Sequence, residues 1–87
     1  MKTIHTLFKK YSTSTCNRHI HRALAIQQGL NDGVDYQVLG GKKLHLGKGL
    51  IRFKLGNFRL IYTRASSGFT LEALIQRKNL NRFLKRR

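Results

Sequence analysis

Residues Leu50, Ile51, Arg52, Phe53, Lys54, Leu55, Gly56, Asn57, Phe58, Arg59, Leu60, Ile61 and Tyr62 form two alternating apolar and basic runs around a Gly-Asn pair. Alternation with a period of two, broken by a two-residue turn signal, reads as a β-hairpin. With Gly56 and Asn57 as the turn, Leu55 pairs with Phe58, Lys54 with Arg59, Phe53 with Leu60 and Ile51 with Tyr62. One face then carries Ile51, Phe53, Leu55, Phe58, Leu60 and Tyr62, the composition of a buried sheet side. The other carries Arg52, Lys54 and Arg59, with Lys54 directly opposite Arg59. Like charges in that position repel, so the hairpin invites an anionic partner.

The global charge agrees with the local one. Eighteen Lys and Arg stand against three acids, Asp32, Asp35 and Glu72, for a formal charge of +15 on 87 residues. Self-repulsion of that size works against compactness and is tolerated where a polyanion or an acidic protein neutralises it. Nucleic acid is the first candidate partner, an acidic protein the second, and an anionic membrane a distant third. No apolar run approaches the roughly 20 residues that span a bilayer. The start, Met1 to His5, lacks a signal peptide's apolar segment. The lone Cys16 forms no internal disulfide and fits a reducing cytoplasm. With no CxxC and four scattered His residues, no metal site is expected.

The length fits a single domain over residues 1–87 with one small core. At 40% hydrophobic, the chain has enough apolar surface to fold despite its charge. Thirteen of the eighteen basic residues lie from Lys42 onward, which assigns binding to the second half and scaffold to the first.

The remaining elements follow from periodicity. Ile4 to Tyr11 reads as either a short helix or an edge strand. Ser14 is a candidate N-cap for a helix over about 15–28, with Gly29 at its C-terminal stop. Cys16, Ile20, Ala23, Leu24 and Gln27 fall on one helical face. Asp35 to Leu39 reads as a strand, and Lys42 to Lys48 as a basic loop or short strand. Strands are expected near 50–55, 58–64 and 69–75, with Leu71, Ala73 and Ile75 on the apolar face of the last. Residues 77–87 read as a basic, helix-compatible end anchored by Leu80, Phe83 and Leu84. The expected fold is α+β: N-terminal helices packed on a three- to four-stranded antiparallel sheet, on the face bearing Phe53, Leu60 and Ala73, with a basic C-terminal segment.

Lys43-Leu44-His45-Leu46-Gly47, then Ile51-Arg52-Phe53-Lys54-Leu55, then Asn57-Phe58-Arg59-Leu60-Ile61-Tyr62 resembles the RelE/ParE superfamily of toxins from bacterial toxin–antitoxin systems. Ile75-Gln76-Arg77-Lys78-Asn79 resembles that family's last strand and the basic residues after it. The resemblance covers residues 42–83, about half of the chain. It implies a metal-independent, ribosome-dependent endoribonuclease that cleaves mRNA without a cofactor, held in check by an acidic cognate antitoxin through which oligomeric state is set. It places the chemistry on Lys54 and Arg59, and RNA binding on Arg52, Arg77 and Lys78, with Lys43 and Arg82 as further contacts.

The chemistry is physically sensible. A base takes the proton of a ribose 2′-hydroxyl, which attacks the adjacent phosphate, and cations stabilise the charge that develops. A lysine crowded by other cations is disfavoured in its protonated form, which suits Lys54 to the role of base. The family's C-terminal active-site tyrosine is matched here by Phe83, which leaves the general acid unassigned. His45, whose imidazole class titrates near neutrality, is the substitute. Two alternatives stand beside this reading: a ParE-like toxin that lacks the nuclease set and inhibits DNA gyrase by protein binding, and a non-catalytic RNA-binding module. In the plainest alternative of all, Arg52, Lys54 and Arg59 are solvated residues of an amphipathic hairpin.

Overall fold

The computed structural model describes residues 3–9, 11, 14–44 and 49–85, with the side chains of 14–16 outside that description. Two helices, α1 (Ile4–Phe8) and α2 (Ser14–Asn31), precede a four-stranded sheet: β1 (Gly41–Lys43), β2 (Leu50–Leu55), β3 (Phe58–Ala65) and β4 (Gly68–Gln76). A 3₁₀ turn (Arg77–Asn79) leads into a last helix, α3 (Leu80–Lys85). The strands are antiparallel neighbours in the order β1-β2-β3-β4. This is an α+β fold in which each strand pairs with the next in sequence.

The central hairpin has the expected register. Leu55 pairs with Phe58, Lys54 with Arg59, Phe53 with Leu60 and Ile51 with Tyr62. Gly56 takes a positive φ of 58°, the left-handed region that the first turn position of a type II′ hairpin requires and that glycine enters without steric cost.

Ile4 to Phe8 resolves as helix. Its start is a capping box in which the Thr3 hydroxyl accepts from the Thr6 amide (3.1 Å) while the Thr6 hydroxyl accepts from the Thr3 amide (2.8 Å). Ile4, Leu7 and Phe8 are buried, the i, i+3, i+4 stripe of a helix lying on a core. In α2 the buried stripe is Ala23, Ile26 and Leu30, with Ile20 packed beside it, whereas Leu24 is 37% exposed. Leu24 thus leaves the expected face and Ile26 takes its place. The helix already includes Ser14, one residue before its expected start, and the side chains of Ser14, the expected N-cap, and of Cys16 lie outside the description.

Gly29 does not end α2. The helix runs to Asn31, and the stop is Gly33, at φ 83°. Its amide donates to the Leu30 carbonyl (3.2 Å) and the Val34 amide to the Gly29 carbonyl (2.9 Å), the paired bonds of a Schellman motif. Gly29 is instead a packing position, because a Cβ there would stand 2.8 Å from Leu39 Cδ2. Residues 35–39 form turns rather than a strand. The Asp35 carboxylate accepts from the Gln37 amide (2.8 Å), an Asx turn that competes with extended pairing. The strand lies later, at Gly41–Lys43, within the basic stretch.

A further correction concerns β4. Tyr62 pairs with Leu71, but Ile61 pairs with Ala73, so Glu72 has no counterpart on β3. One extra residue is a β-bulge, and it reverses which side chains face the core. Leu71 stays on the helix side, Leu74 becomes its fully buried partner opposite Leu60, and Ala73 and Ile75 turn to the other face. The core cluster therefore joins Ile4, Leu7 and Phe8 of α1, Ala23, Ile26 and Leu30 of α2, and Ile51, Phe53, Leu55, Leu60, Tyr62 and Leu74 of the sheet. Leu50 and Ile61 are also fully buried but lie on the opposite face, outside that cluster. That second face is apolar at its middle and basic toward the hairpin tip. Among the described residues no helix is long and apolar enough to cross a membrane.

Candidate functional site, a basic sheet face beside a pinned turn

The register fixes which basic residues share a surface. Lys42 pairs with Arg52 across β1 and β2, and Lys54 pairs with Arg59 across β2 and β3. Side chains directly opposite each other project to the same side of a sheet, so all four lie on the face away from α1 and α2. Arg77, the first residue of the 3₁₀ turn after β4, lies near enough to Arg59 to repel it, as Arg52 does. Lys78 follows Arg77 in the 3₁₀ turn, and both are exposed.

Two of the expected contacts stand elsewhere. Lys43 pairs with Ile51 and so lies on the helix side of the edge strand. Lys42, which sequence reasoning passed over, holds the place on the basic face. The signal was available, because Lys42 and not Lys43 has the parity of Arg52 once β1 is paired with β2. Arg82 is exposed on α3, outside the strands. His45 lies outside the described residues.

Arg59 differs most from a solvated outward cation. Only 6% of its surface is exposed. Its Nη1 donates to the carbonyl oxygens of Gly56 and Phe58, both at 2.8 Å. Burial lowers its pKa from the ordinary arginine value, and Arg52 and then Arg77 lower it further by repulsion. The guanidinium remains an ion, since arginine does not deprotonate in proteins, and its hydrogen bonds offset part of the cost of keeping it there.

The hairpin tip is consequently held from both sides. On the basic side Arg59 ties down the carbonyls of Gly56 and Phe58, while the Arg77 amide donates to the Asn57 carbonyl (2.7 Å). On the helix side Phe58 is an aromatic hub. Tyr11 and His19 meet it edge-on at 4.7 Å and 5.8 Å between centroids, and Phe8 lies tilted to it at 6.3 Å. Such contacts contribute roughly 0.5–1.5 kcal/mol each beyond burial. His19 also fits against Gly56, where a Cβ would come within 2.8 Å of its Cε1. Lys54, exposed and one residue before the turn-flanking Leu55, is presented by a scaffold that fixes its backbone.

Below the turn lies an open cleft of about 590 Å³ lined by Asn57, Gln76, Arg77, Lys78 and Asn81. A second depression of about 460 Å³ lies between the end of α2 and the far end of the sheet, with Tyr36, Phe69 and Arg64 in its wall. Arg64 stacks over the Tyr36 ring there at 5.6 Å, on the helix side and remote in register from Lys54. Two of the three acids are at that same end of the fold: Asp32 accepts from Gln28 Nε2 (3.0 Å) and Asp35 closes its Asx turn. Glu72 sits at the bulge. Among the described residues no group of three or more His, Cys, Asp or Glu side chains could hold a metal ion.

Comparison with protein-family models, with characterised proteins and with solved structures returns no match.

Proposed function

We propose that this chain is a toxin of the RelE type, a small basic endoribonuclease that cuts mRNA on the ribosome. The observation that carries the proposal is the convergence of Lys42, Arg52, Lys54 and Arg59 on one sheet face, with Arg77 close by, beside a turn tied down from both sides. Such a face suits a phosphodiester backbone, whose affinity comes mainly from cation–phosphate contacts. The sequence resemblance over residues 42–83 supplies the class of reaction.

In this reading Lys54 takes the proton of a ribose 2′-hydroxyl. The freed oxygen attacks the neighbouring phosphorus, forming a new O2′–P bond as the P–O5′ bond breaks, and the departing 5′ oxygen takes a proton from water. Arg52 and Arg77 oppose the charge that builds on the non-bridging oxygens. Arg59 is a positioning residue: its Nη1 is engaged by two carbonyls and it holds the strand carrying its partner Lys54. An acidic antitoxin segment covers the same face when the toxin is silent, in the cytoplasm of the producing cell.

A second reading is favoured by that same burial. If Arg59 serves the fold alone, the exposed cations are an interaction surface, as in a ParE-like toxin that binds DNA gyrase. Adding the purified protein to a translation reaction and mapping mRNA ends separates the two. New discrete ends that require translating ribosomes support the nuclease. Intact mRNA with trapped gyrase–DNA complexes supports the other.

A further inference from the structure

Beside the cationic face, the cleft under the turn has a different chemistry. Three of its five lining side chains are carboxamides, Asn57, Gln76 and Asn81, and the other two are Arg77 and Lys78. They come from four separate elements: the hairpin turn, the last residue of β4, the 3₁₀ turn and α3. The Arg77 amide bond to the Asn57 carbonyl clamps the first of these to the third. Gln76 pairs with Phe58, the residue held by three aromatic neighbours. Asn57, Gln76 and Arg77 are therefore fixed relative to one another, although each carboxamide belongs to a different stretch of chain.

A cleft that only neutralised phosphate would need cations alone. Carboxamides present a donor and an acceptor side by side, the pattern that matches the edge of a nucleobase. Single-stranded RNA offers such edges unpaired. Asn and Gln match adenine best, donating to a ring nitrogen while accepting from the exocyclic amine.

We infer that this cleft is a base-recognition pocket that selects an unpaired adenine next to the backbone held by Arg77 and Lys78. The inference rests on the RNA reading above and adds to it a sequence preference and the residues that set it. Arg77 and Lys78 hold the phosphates on either side, and Asn57, Gln76 and Asn81 read the base between them.

The test is equilibrium binding of the full-length protein to short fluorescent oligouridylates that differ only in one central base. The oligomer with a central adenine should bind on the order of tenfold more tightly than the all-uridine one, the size of one good bidentate contact. Asn81→Ala and Gln76→Ala, each checked for an unchanged circular dichroism spectrum, should reduce that ratio to within about twofold while keeping the affinity for the all-uridine oligomer. Equal, salt-sensitive binding of all oligomers by the native protein overturns the pocket and leaves the RNA reading standing. A preference for adenine that survives both substitutions places base reading elsewhere and also overturns it. No binding to any oligomer overturns the pocket, and mapping of mRNA ends in a translation reaction then decides the nuclease reading separately.

Discussion

Arg59 Nη1 donates to the Gly56 carbonyl across the tightest point of the β2–β3 turn, at 2.8 Å, and to the Phe58 carbonyl at the same distance. A buried cation thus stands where the alternation of the sequence placed a solvated one. Arg59→Lys keeps the charge but its ammonium ends one atom short of the Nη1 position from which both carbonyls accept. It should lower stability by about 1–3 kcal/mol, the range for losing hydrogen bonds made by a charged group. Urea unfolding followed by circular dichroism checks this. A lysine variant as stable as the native chain would mean that the turn does not depend on the guanidinium.

The bulge at Glu72 makes two adjacent residues energetically unlike. Leu74 is 1% exposed in the main core, whereas Ile75 is half-buried on the basic face. Leu74→Ala should cost about 2–5 kcal/mol, as for other fully buried leucines, and Ile75→Ala should cost less than half of what Leu74→Ala does. The reverse ranking would restore unbroken alternation along β4.

Gly41 packs closely against the buried ring of Phe53. A Cβ added there would sit 2.8 Å from Phe53 Cε2 and 2.9 Å from Ile51 Cγ2. Phe53 has little freedom to yield, being 1% exposed and stacked edge-on against Tyr62 at 5.7 Å. Gly41→Ala should therefore destabilise by about 1–3 kcal/mol, the usual range for overpacking, although alanine is the better residue for an ordinary backbone. A thermal melt at or above the native value would show that the edge strand moves aside.

Tyr62 gives the fold an alkaline limit. Burial pushes its phenol up to about 12, against about 10 in an unfolded chain. Below pH ~10 both states hold the proton and nothing is lost. Between ~10 and ~12 only the unfolded state releases it, so stability falls as pH rises through that window. Tyr62→Phe should flatten this part of the fall. Its cost near neutrality should be small, since the hydroxyl's contact with Gln27 Oε1, at 3.5 Å, is at the limit of a hydrogen bond. Urea midpoints of both proteins across that range check the claim, and parallel curves would contradict it.

The hairpin was legible because two independent signals, period-two alternation and a Gly-Asn turn, agreed on one register. The helices were only partly legible: Ile4 to Tyr11 reads equally as helix or edge strand, and α2 runs past its expected end to Asn31. Gly29 looks like a stop, yet what decides it is Leu39, ten residues later, filling the space a side chain would take. The bulge left no local mark, because Leu71, Ala73, Leu74 and Ile75 are apolar in both phases and either phase satisfies the pattern. The basic face was half legible. Parity assigned Arg52, Lys54 and Arg59 to it, whereas the burial of Arg59 depends on carbonyls turned inward by the hairpin it belongs to. The carboxamide cleft could not be read at all, since Asn57, Gln76 and Asn81 are joined only when β4 returns beside the turn.

The most direct test of the nuclease reading compares native protein with Lys54→Ala in a ribosome-containing translation reaction, with mRNA 5′ ends mapped at single-nucleotide resolution. Lys54 is exposed, so the variant should fold normally. The native protein should generate discrete ends only while ribosomes translate, and Lys54→Ala should reduce that cleavage by about 10²–10⁴-fold, the usual worth of a general base. Cleavage undiminished in Lys54→Ala, or mRNA left whole by the native protein while translation or growth still stops, would contradict it.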